Sequence, residues 1–281
     1  MASTYDDLLT ANCGKMWAWS YTTTGANESV TITFTWTGGG TTFVDWGDGT
    51  VSEITSAVQA THVYAVAGTY SPRLVSRGVW NRLTTIDGCS SNGGFTGEFK
   101  NAPSGLSLLR LYQTNTALTG PASDLPRSLT FLHLWQTSSA LTGLLSDLPS
   151  RMTLVHLAGT NSSLTGALSD LPSGITTLDL SSTTSEITGG TSAISAIGLA
   201  TLHLTSTSDT QADLDDVLLR LYTDRASFTY ASPELEIAGT NPAPSGVYQD
   251  ASPPTTGKEY AYKLVVDPDA EGFNKWTITM N

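Results

Sequence analysis

The residues of this chain that could do chemistry recur at a regular interval. His133, His156 and Asp179 stand 23 positions apart, and His203 follows 24 positions later. Equal steps in a repeated strand place side chains in one column on one face, and imidazoles and carboxylates are ligands of Zn²⁺. His133, His156 and Asp179 could therefore share a metal ion. An open face of this kind rarely orients its ligands, and no supporting partner is evident, so we predict that no metal is bound.

The acids in this column are too far apart to act as a catalytic pair. Its carboxylates Asp87 and Asp179 would lie four repeats apart, which is ~19 Å at the spacing of paired strands. A glycosidase pair needs a separation of at most ~9.5 Å. The chain also contains no Gly-x-Ser-x-Gly motif, no phosphate-binding loop and no His-Glu-x-x-His motif. We therefore predict a protein that has no enzymatic activity and needs no cofactor.

Aromatic and aliphatic residues flank this column and indicate a binding face. One neighbouring column contains Leu108, Phe131 and Leu154, and the other contains Tyr112 and Trp135. Exposed aromatic residues beside arginine and histidine are typical of binding surfaces. The alternative is that a neighbouring domain or a second subunit covers these rings. We predict that the ligand-binding face consists of nine residues: Leu108, Arg110, Tyr112, Phe131, His133, Trp135, Leu154, His156 and Asp179.

The element that must position these columns is a sequence repeat between Arg82 and Ala196, in which equivalent residues stand 23 positions apart. The repeat pattern is Leu-x-x-Leu-x-Leu-x-x-Thr, then Leu-Thr-Gly, then Ser-Asp-Leu-Pro; complete copies begin at Leu106 and Leu129, and copies with some substitutions begin at Met152 and Ile175. Repeats of about 20–29 residues are typical of solenoids, in which each coil buries its apolar face against its neighbours. We predict a mainly β chain with a solenoid of about six coils over residues 81–241.

The segment before the repeats has a different period. Between residues 15 and 80, apolar and polar residues alternate, as in the stretch 30–36, and turn residues separate short strands. The runs Val-Asp-Trp-Gly-Asp-Gly-Thr at 44–50 and His-Val-Tyr to Gly-Thr-Tyr at 62–70 resemble the two signatures of PKD domains. This resemblance implies a small immunoglobulin-like β-sandwich of the kind found in surface proteins. Residues 1–14 are predicted to form an N-terminal arm.

The repeats themselves resemble leucine-rich repeats. The pattern Leu-x-x-Leu-x-Leu agrees with that family, but threonine stands where the family most often has asparagine, as at Thr137, Thr160 and Thr183. The resemblance implies that these side chains bond to loop backbone inside the coil, which a threonine hydroxyl can do with fewer partners. It implies little about the ligand, because such arrays bind many kinds of molecule.

Two further elements are predicted after the repeats. Thr210 followed by Asp213 is typical of a helix start, and the apolar residues that follow recur at helical spacing: Leu214, Val217, Leu218 and Leu221. A helix near 210–222 is therefore predicted to cap the last coil. Residues 242–281 are predicted to form a β-hairpin module with strands at 259–266 and 276–280. Its runs Ser-Gly-Val-Tyr-Gln-Asp at 245–250 and Glu-Gly-Phe-Asn-Lys-Trp at 271–276 look similar to tail segments of phage-encoded repeat proteins.

An acidic turn in the last segment could bind calcium. Asp267, Asp269 and Glu271 match the first half of a calcium loop, but Ile278 stands where a bidentate glutamate is expected. We therefore interpret this segment as a solvated turn, with calcium binding as the alternative.

Two other groups of residues have competing interpretations. Asp45 and Asp48 are interpreted as turn-forming residues around Trp46, which is predicted to lie in the core; calcium binding is again the alternative. Cys13 and Cys89 lie in different segments and do not form a disulfide framework. They are predicted to be unpaired thiols, and the alternative is a single bridge.

Composition excludes some classes of partner. The formal charge is −12, from 13 Lys and Arg against 25 Asp and Glu, and phosphate neutralisation dominates nucleic-acid affinity. We therefore predict no nucleic-acid partner. The chain contains no apolar run of transmembrane length and no basic amphipathic stretch, so no membrane insertion is predicted. A charged fraction of only 14%, with serine, threonine and glycine supplying the polarity, is common in extracellular and virion-surface proteins.

These observations favour a structural or adhesion protein on the surface of a bacteriophage virion. No secretory signal is recognised at the N-terminus, which suits assembly inside a host cell. We predict a capsid (head) decoration, head fibre or tail-fibre-type protein for host attachment. Its expected partners are virion structural proteins and a host-surface protein or glycan, and it could form a homo-oligomer. The alternatives are a bacterial cell-surface adhesin without its export segment and an intracellular scaffold that binds a protein.

Overall fold

The computed structural model describes residues 15–18, 20–23, 25–55, 58–77, 80–88, 95–112, 116–266 and 273–281. Over these residues the chain is mainly β, with two α-helices. It divides into two compact units, of which the first comprises Met1–Gly120 and Asp124–Ala140, and the second comprises Pro121–Ser123 and Leu141–Asn281. The predicted N-terminal arm at 1–14 lies outside the described residues.

Antiparallel sheets form the beginning of the first unit. Its strands up to residue 77 are β1 Lys15–Ala18, β2 Tyr21–Thr23, β3 Glu28–Trp36, β4 Thr41–Asp45, β5 Val51–Ile54, β6 Val58–Tyr64, β7 Gly68–Tyr70 and β8 Arg73–Arg77. They pair in the order β1-β8-β4-β5, with β2 paired to β7 and β3 paired to β6. In β3 every second residue is buried, because one face of the strand packs on the core.

The strand β3 also joins these sheets to the repeats. The repeat strands that follow are β9 Leu83–Asp87, β10 Thr96–Glu98, β11 Leu108–Arg110, β12 Ala117–Pro121 and β13 Phe131–His133. β3 lies antiparallel to β9, whereas β9, β11 and β13 are parallel to one another and β10 is parallel to β12. The first repeat strand therefore has a hydrogen-bonded neighbour on each side, and its edge is covered.

The second unit contains parallel sheets and both helices. Its elements are β14 Ala140–Leu144, β15 Leu154–His156, β16 Ser163–Ala167, β17 Thr177–Asp179, β18 Glu186–Thr188, β19 Thr201–His203, α1 Gln211–Thr223, β20 Glu234–Glu236, α2 Gly257–Val265 and β21 Thr277–Thr279. One sheet has the order β15-β17-β19-β20-β21, and the other has the order β14-β16-β18. Short 3₁₀ helices occur along the chain at Trp80–Arg82, Phe99–Asn101, Ala122–Asp124, Leu145–Asp147, Leu168–Asp170 and Arg225–Ser227.

Apolar side chains fill the interior of each repeat. In the copy that contains β15, the side chains of Met152, Val155 and Leu157 are completely buried, as the predicted register requires. Gly143 and Gly166, the glycines of two Leu-Thr-Gly triplets, have φ angles of 101° and 128°. Only glycine adopts this backbone readily, so the triplet marks a bend that other residues would strain.

A buried set of threonine and serine hydroxyls lies inside the repeats. Thr160 Oγ1 donates a hydrogen bond of 2.7 Å to the carbonyl of Leu157, and Ser162 Oγ accepts one of 3.1 Å from the backbone N–H of Leu141, in the preceding copy. Equivalent bonds are made by two further pairs: Thr137 with Ser139 and Thr183 with Ser185. We call these six residues the hydroxyl ladder. The expected bonding of threonine to loop backbone is confirmed.

Asp209 replaces the ladder serine in the last copy. Its Oδ1 accepts a 2.6 Å hydrogen bond from the N–H of Ile187, and its Oδ2 accepts one of 2.6 Å from Thr207 Oγ1. Burial raises the pKa of this carboxyl from 3.8 to about 6, because a charged carboxylate is costly away from water. The folded chain therefore holds this proton more tightly than the unfolded chain does.

Asp209→Asn is expected to change how stability depends on pH. The stability contributed by the Asp209 proton is complete below pH 3.8 and is lost as pH rises through about 6. A shift of this size corresponds to roughly 3 kcal/mol. Asparagine keeps an acceptor for Ile187 but does not titrate. Urea unfolding between pH 4 and 7 should show the unprotonated wild type losing stability relative to the variant, and a pH-independent difference would contradict the assignment.

The helix α1 confirms the prediction for residues 210–222. Thr210 Oγ1 accepts from the N–H of Asp213 at 3.3 Å, and the Asp213 carboxylate accepts in return from the N–H of Thr210 at 2.9 Å. This reciprocal cap satisfies two amides that have no partner within the helix. The inward residues are completely buried, as helical spacing predicts: Leu214, Val217, Leu218 and Leu221.

The predicted C-terminal β-hairpin is wrong. The segment expected as its first strand is the helix α2, and β21 pairs parallel to β20 instead of forming a hairpin. Glu259 caps the helix by accepting from the N–H groups of Thr255 and Thr256 at 2.9 and 3.1 Å. Ala261 and Leu264 are buried one helical turn apart. These local bonds and the helical burial outweigh the β propensity of the tyrosines.

Candidate functional site

The repeat strands present side chains in the predicted columns. Within the first unit, Leu108 of β11 is opposite Phe131 of β13, and within the second unit Leu154 of β15 is opposite Thr177 of β17. The middle residue of each strand is buried, whereas Leu108 and Leu154 are partly exposed. Parallel pairing in register places equivalent residues about 4.8 Å apart. The predicted columns are therefore confirmed within each unit.

Four aromatic rings meet on this face in the first unit, and we call them the aromatic cluster: Tyr112, Phe131, His133 and Trp135. The Tyr112 ring stacks on the His133 imidazole with centroids 5.1 Å apart and planes 23° apart. The Phe131 centroid is 6.2 Å from that of His133, and the Trp135 centroid is 6.5 Å from that of Tyr112. All four residues are partly exposed. Rings in mutual contact hold one another in place, so the cluster presents a preformed apolar surface.

Arg110 lies beside the aromatic cluster and is bound to an acid. It is opposite His133 on one side and Asp87 on the other. Its Nε donates to Asp87 Oδ1 at 2.9 Å, and its Nη2 donates to Asp87 Oδ2. The two side chains line an open cleft of about 180 Å³ together with Thr31, Thr33 and Gln59. The bidentate pair fixes the guanidinium, so Arg110 is positioned by Asp87.

In the second unit, one carboxylate lies between two imidazoles. Asp179 Oδ2 is 3.1 Å from His156 Nε2 and 3.6 Å from His203 Nδ1, and Asp179 Oδ1 accepts a 3.0 Å hydrogen bond from the N–H of Ser181. Asp179 itself is 9% exposed. The register of β15, β17 and β19 brings these three side chains together.

The surroundings of Asp179, His156 and His203 shift the pKa of each side chain. Burial alone would raise the pKa of Asp179, but the neighbouring His203 imidazole and the hydrogen bond from Ser181 outweigh it and lower the pKa below the ordinary value. The nearby Asp179 carboxylate raises the pKa of His203, whereas burial lowers the pKa of His156. At neutral pH the Asp179 carboxylate is therefore ionised beside a neutral His156, and His203 is held closer to its protonated form.

Two glutamates that sequence reasoning missed lie beside His203. Glu234 and Glu236 flank the buried Leu235 of β20, and β20 pairs with β19 so that His203 is opposite Glu236. The stretch Leu235–Ile237 is recognisable as a degenerate strand, and alternation about Leu235 would have placed both glutamates on this face.

The three residues considered as a shared metal site, His133, His156 and Asp179, belong to different units. His133 belongs to the first unit and takes part in the aromatic cluster, whereas His156 and Asp179 belong to the second. There Asp179 meets His203, which sequence reasoning left out of the ligand-binding set.

The interpretation of Asp45 and Asp48 as turn-forming residues is confirmed. Asp45 accepts from the N–H of Gly47 at 2.9 Å and from Arg73 at 2.7 Å. Asp48 accepts from the N–H of Thr50 at 3.0 Å and contacts His62 at 2.7 Å. Trp46 is completely buried, as predicted. The carboxylates are thus engaged in holding the turn.

Several predicted residues lie outside the described part of the chain: Cys13, Cys89, Asp267, Asp269 and Glu271. The alternatives for the thiols and for the acidic turn at 267–272 stay predictions.

No protein-family model, curated protein or solved structure matches this chain. Among the described residues, neither helix has the length and apolar character that crossing a membrane requires.

Proposed function

We propose that this chain is a non-enzymatic binding protein displayed on a bacteriophage virion, and that the aromatic cluster recognises a glycan or protein of the host surface. The observation that carries the proposal is the mutual contact of four partly exposed rings: Phe131 and His133 on β13, and Tyr112 and Trp135 just beyond the ends of β11 and β13. The proposed partners are a host-surface molecule and virion structural proteins.

The chemistry of the aromatic cluster suits recognition of a ring or an apolar side chain. Tyrosine and tryptophan provide large contact area with few rotatable bonds, so they lose little conformational entropy when a ligand binds. They are also enriched among the residues that dominate binding energy. Arg110, held by Asp87 next to His133, supplies hydrogen-bond donors at the margin of the apolar surface.

The proposal includes an architecture: a PKD-like, immunoglobulin-like β-sandwich followed by a leucine-rich-repeat solenoid. Antiparallel pairing of the strands before residue 78 supports the first part. Parallel pairing of residues one repeat period apart, as between Leu108 and Phe131, and the hydroxyl ladder support the second. Such an array presents one long surface and seldom encloses a reaction chamber, which is consistent with binding.

The virion location is supported by composition. Only 14% of residues are charged, and serine, threonine and glycine supply much of the polarity, a composition that is common in extracellular and virion-surface proteins. We propose a head decoration, head fibre or tail-fibre-type role. Sequencing the encoding locus tests this location: neighbouring capsid or tail genes are expected, and a locus without phage structural genes would contradict it.

Changing Tyr112, Phe131 and Trp135 together to serine is expected to abolish binding to the host surface or glycan. Each aromatic anchor at the centre of an interface is typically worth about 2 kcal/mol or more. The fold should survive, because these side chains lie on the strand face and outside the buried interior. A glycan array and a bacterial-cell pull-down with the full chain measure the loss, and circular dichroism measures folding.

The matched control is the double variant Tyr230→Ser and Tyr248→Ser. These tyrosines are 51% and 42% exposed and lie outside the aromatic cluster, so binding should be unchanged. If the triple variant binds like wild type and the double variant does not, the recognition surface has been placed on the wrong part of the chain.

A further inference from the structure

The ends of β19 and β20 bring three potential metal ligands together. His203, Glu234 and Glu236 each offer one ligand atom, and these atoms lie within 4.8 Å of one another. His203 Nε2 lies 3.8 Å from Glu234 Oε2. Ligands bind Zn²⁺ at about 2.0–2.2 Å, so small side-chain rotations would let all three contact one ion.

The imidazole of His203 is oriented as a metal ligand would be. Asp179 lies behind the ring, 3.6 Å from Nδ1, and is itself held by the N–H of Ser181. Metal-binding histidines usually donate one ring N–H to a carboxylate, which leaves the other nitrogen for the ion; here Asp179 lies just beyond hydrogen-bond distance of Nδ1. That other nitrogen, Nε2, is buried and accepts or donates no hydrogen bond among the described residues.

The geometry points to a binding site for a divalent transition-metal ion formed by His203, Glu234 and Glu236, with Asp179 as the positioning residue. One imidazole and two carboxylates suit Zn²⁺. The Glu234 side chain is 47% exposed, so the ion can enter from solvent and keep water in its remaining positions. This site goes beyond the proposed function, because it lies in the second unit and the aromatic cluster lies in the first.

Titration of the metal-free full chain with ZnCl₂ in a calorimeter tests the site. We expect one ion to bind per chain and a visible absorption band when Co²⁺ replaces Zn²⁺. His203→Asn and Glu236→Gln should each weaken binding at least tenfold. Asp179→Asn should weaken it by about 10–100-fold, as the loss of an orienting partner does.

Glu98→Gln is the matched control for the glutamate variants. Glu98 is 49% exposed and paired with Lys100 in the first unit, so its replacement should leave the Zn²⁺ affinity unchanged. Circular dichroism of each variant checks that the fold is retained, and Glu236→Gln preserves side-chain shape. Absence of stoichiometric binding to the wild type, or equal affinity in wild type, His203→Asn and Glu236→Gln, would overturn the assignment.

Discussion

Replacing Leu132 with alanine is expected to lower the free energy of unfolding by about 2–5 kcal/mol. Leu132 is the middle residue of β13, is completely buried and is opposite Leu109 of β11. The shorter side chain leaves a cavity, and neighbours held by the parallel strand pairing can fill it only in part. Urea unfolding followed by circular dichroism measures the change from the midpoint of the transition.

Leu144→Ala is the matched control for the core variant. Leu144 belongs to β14 but is 50% exposed, so its truncation should change stability by less than about 0.5 kcal/mol. Equal losses in the two variants would show that the inward positions of the repeat have been assigned wrongly.

Deleting residues 210–281 is expected to make the rest of the chain aggregate. The deletion removes α1, whose apolar side is completely buried, and β20, the hydrogen-bonded neighbour of β19. The last repeat would then expose apolar side chains, and β19 would present an unpaired edge to other chains. Size-exclusion chromatography and sedimentation measure the loss of monomer.

Two adjacent positions of α1 give a finer test of capping. Leu218 is completely buried, whereas Leu219 is 39% exposed. Leu218→Asp places an unpartnered charge in the interior and should cost several kcal/mol, while Leu219→Asp should be tolerated. A soluble monomeric deletion variant, or equal stability of the two aspartate variants, would contradict the capping role of α1.

The parts of the fold with a strict period were predicted correctly from the sequence, and α2 was not. Equal spacing determines which residues are neighbours across parallel strands, so Leu108 and Phe131 are opposite each other as expected. In α2 the alternation of Tyr260, Tyr262 and Leu264 is typical of a strand. Thr256 followed by Glu259 has the spacing of a helix start, but the alternation outweighs this short signal. The packing of α2 against α1, where the rings of Tyr222 and Tyr260 are 5.6 Å apart, is recorded in no local pattern.

The candidate sites also divide into residues that the repeat period places and residues that it does not. The approach of His156 and Asp179 could be predicted because the two residues stand one repeat period apart in the sequence. Glu236 could not be placed by period, since it does not follow His203 by one period and the intervening segment contains α1. Only the pairing of β20 with β19 brings the glutamates to the imidazole.

The hydroxyl ladder has a consequence for how this chain can change in length. Ser162 accepts the N–H of Leu141 and Ser185 accepts the N–H of Leu164, so every copy completes the bonding of the copy before it. An inserted duplicate of one whole repeat would make one such bond and receive another. Recombination between copies in the gene can therefore lengthen or shorten the protein by whole repeats, whereas a partial insertion would leave a buried amide without an acceptor.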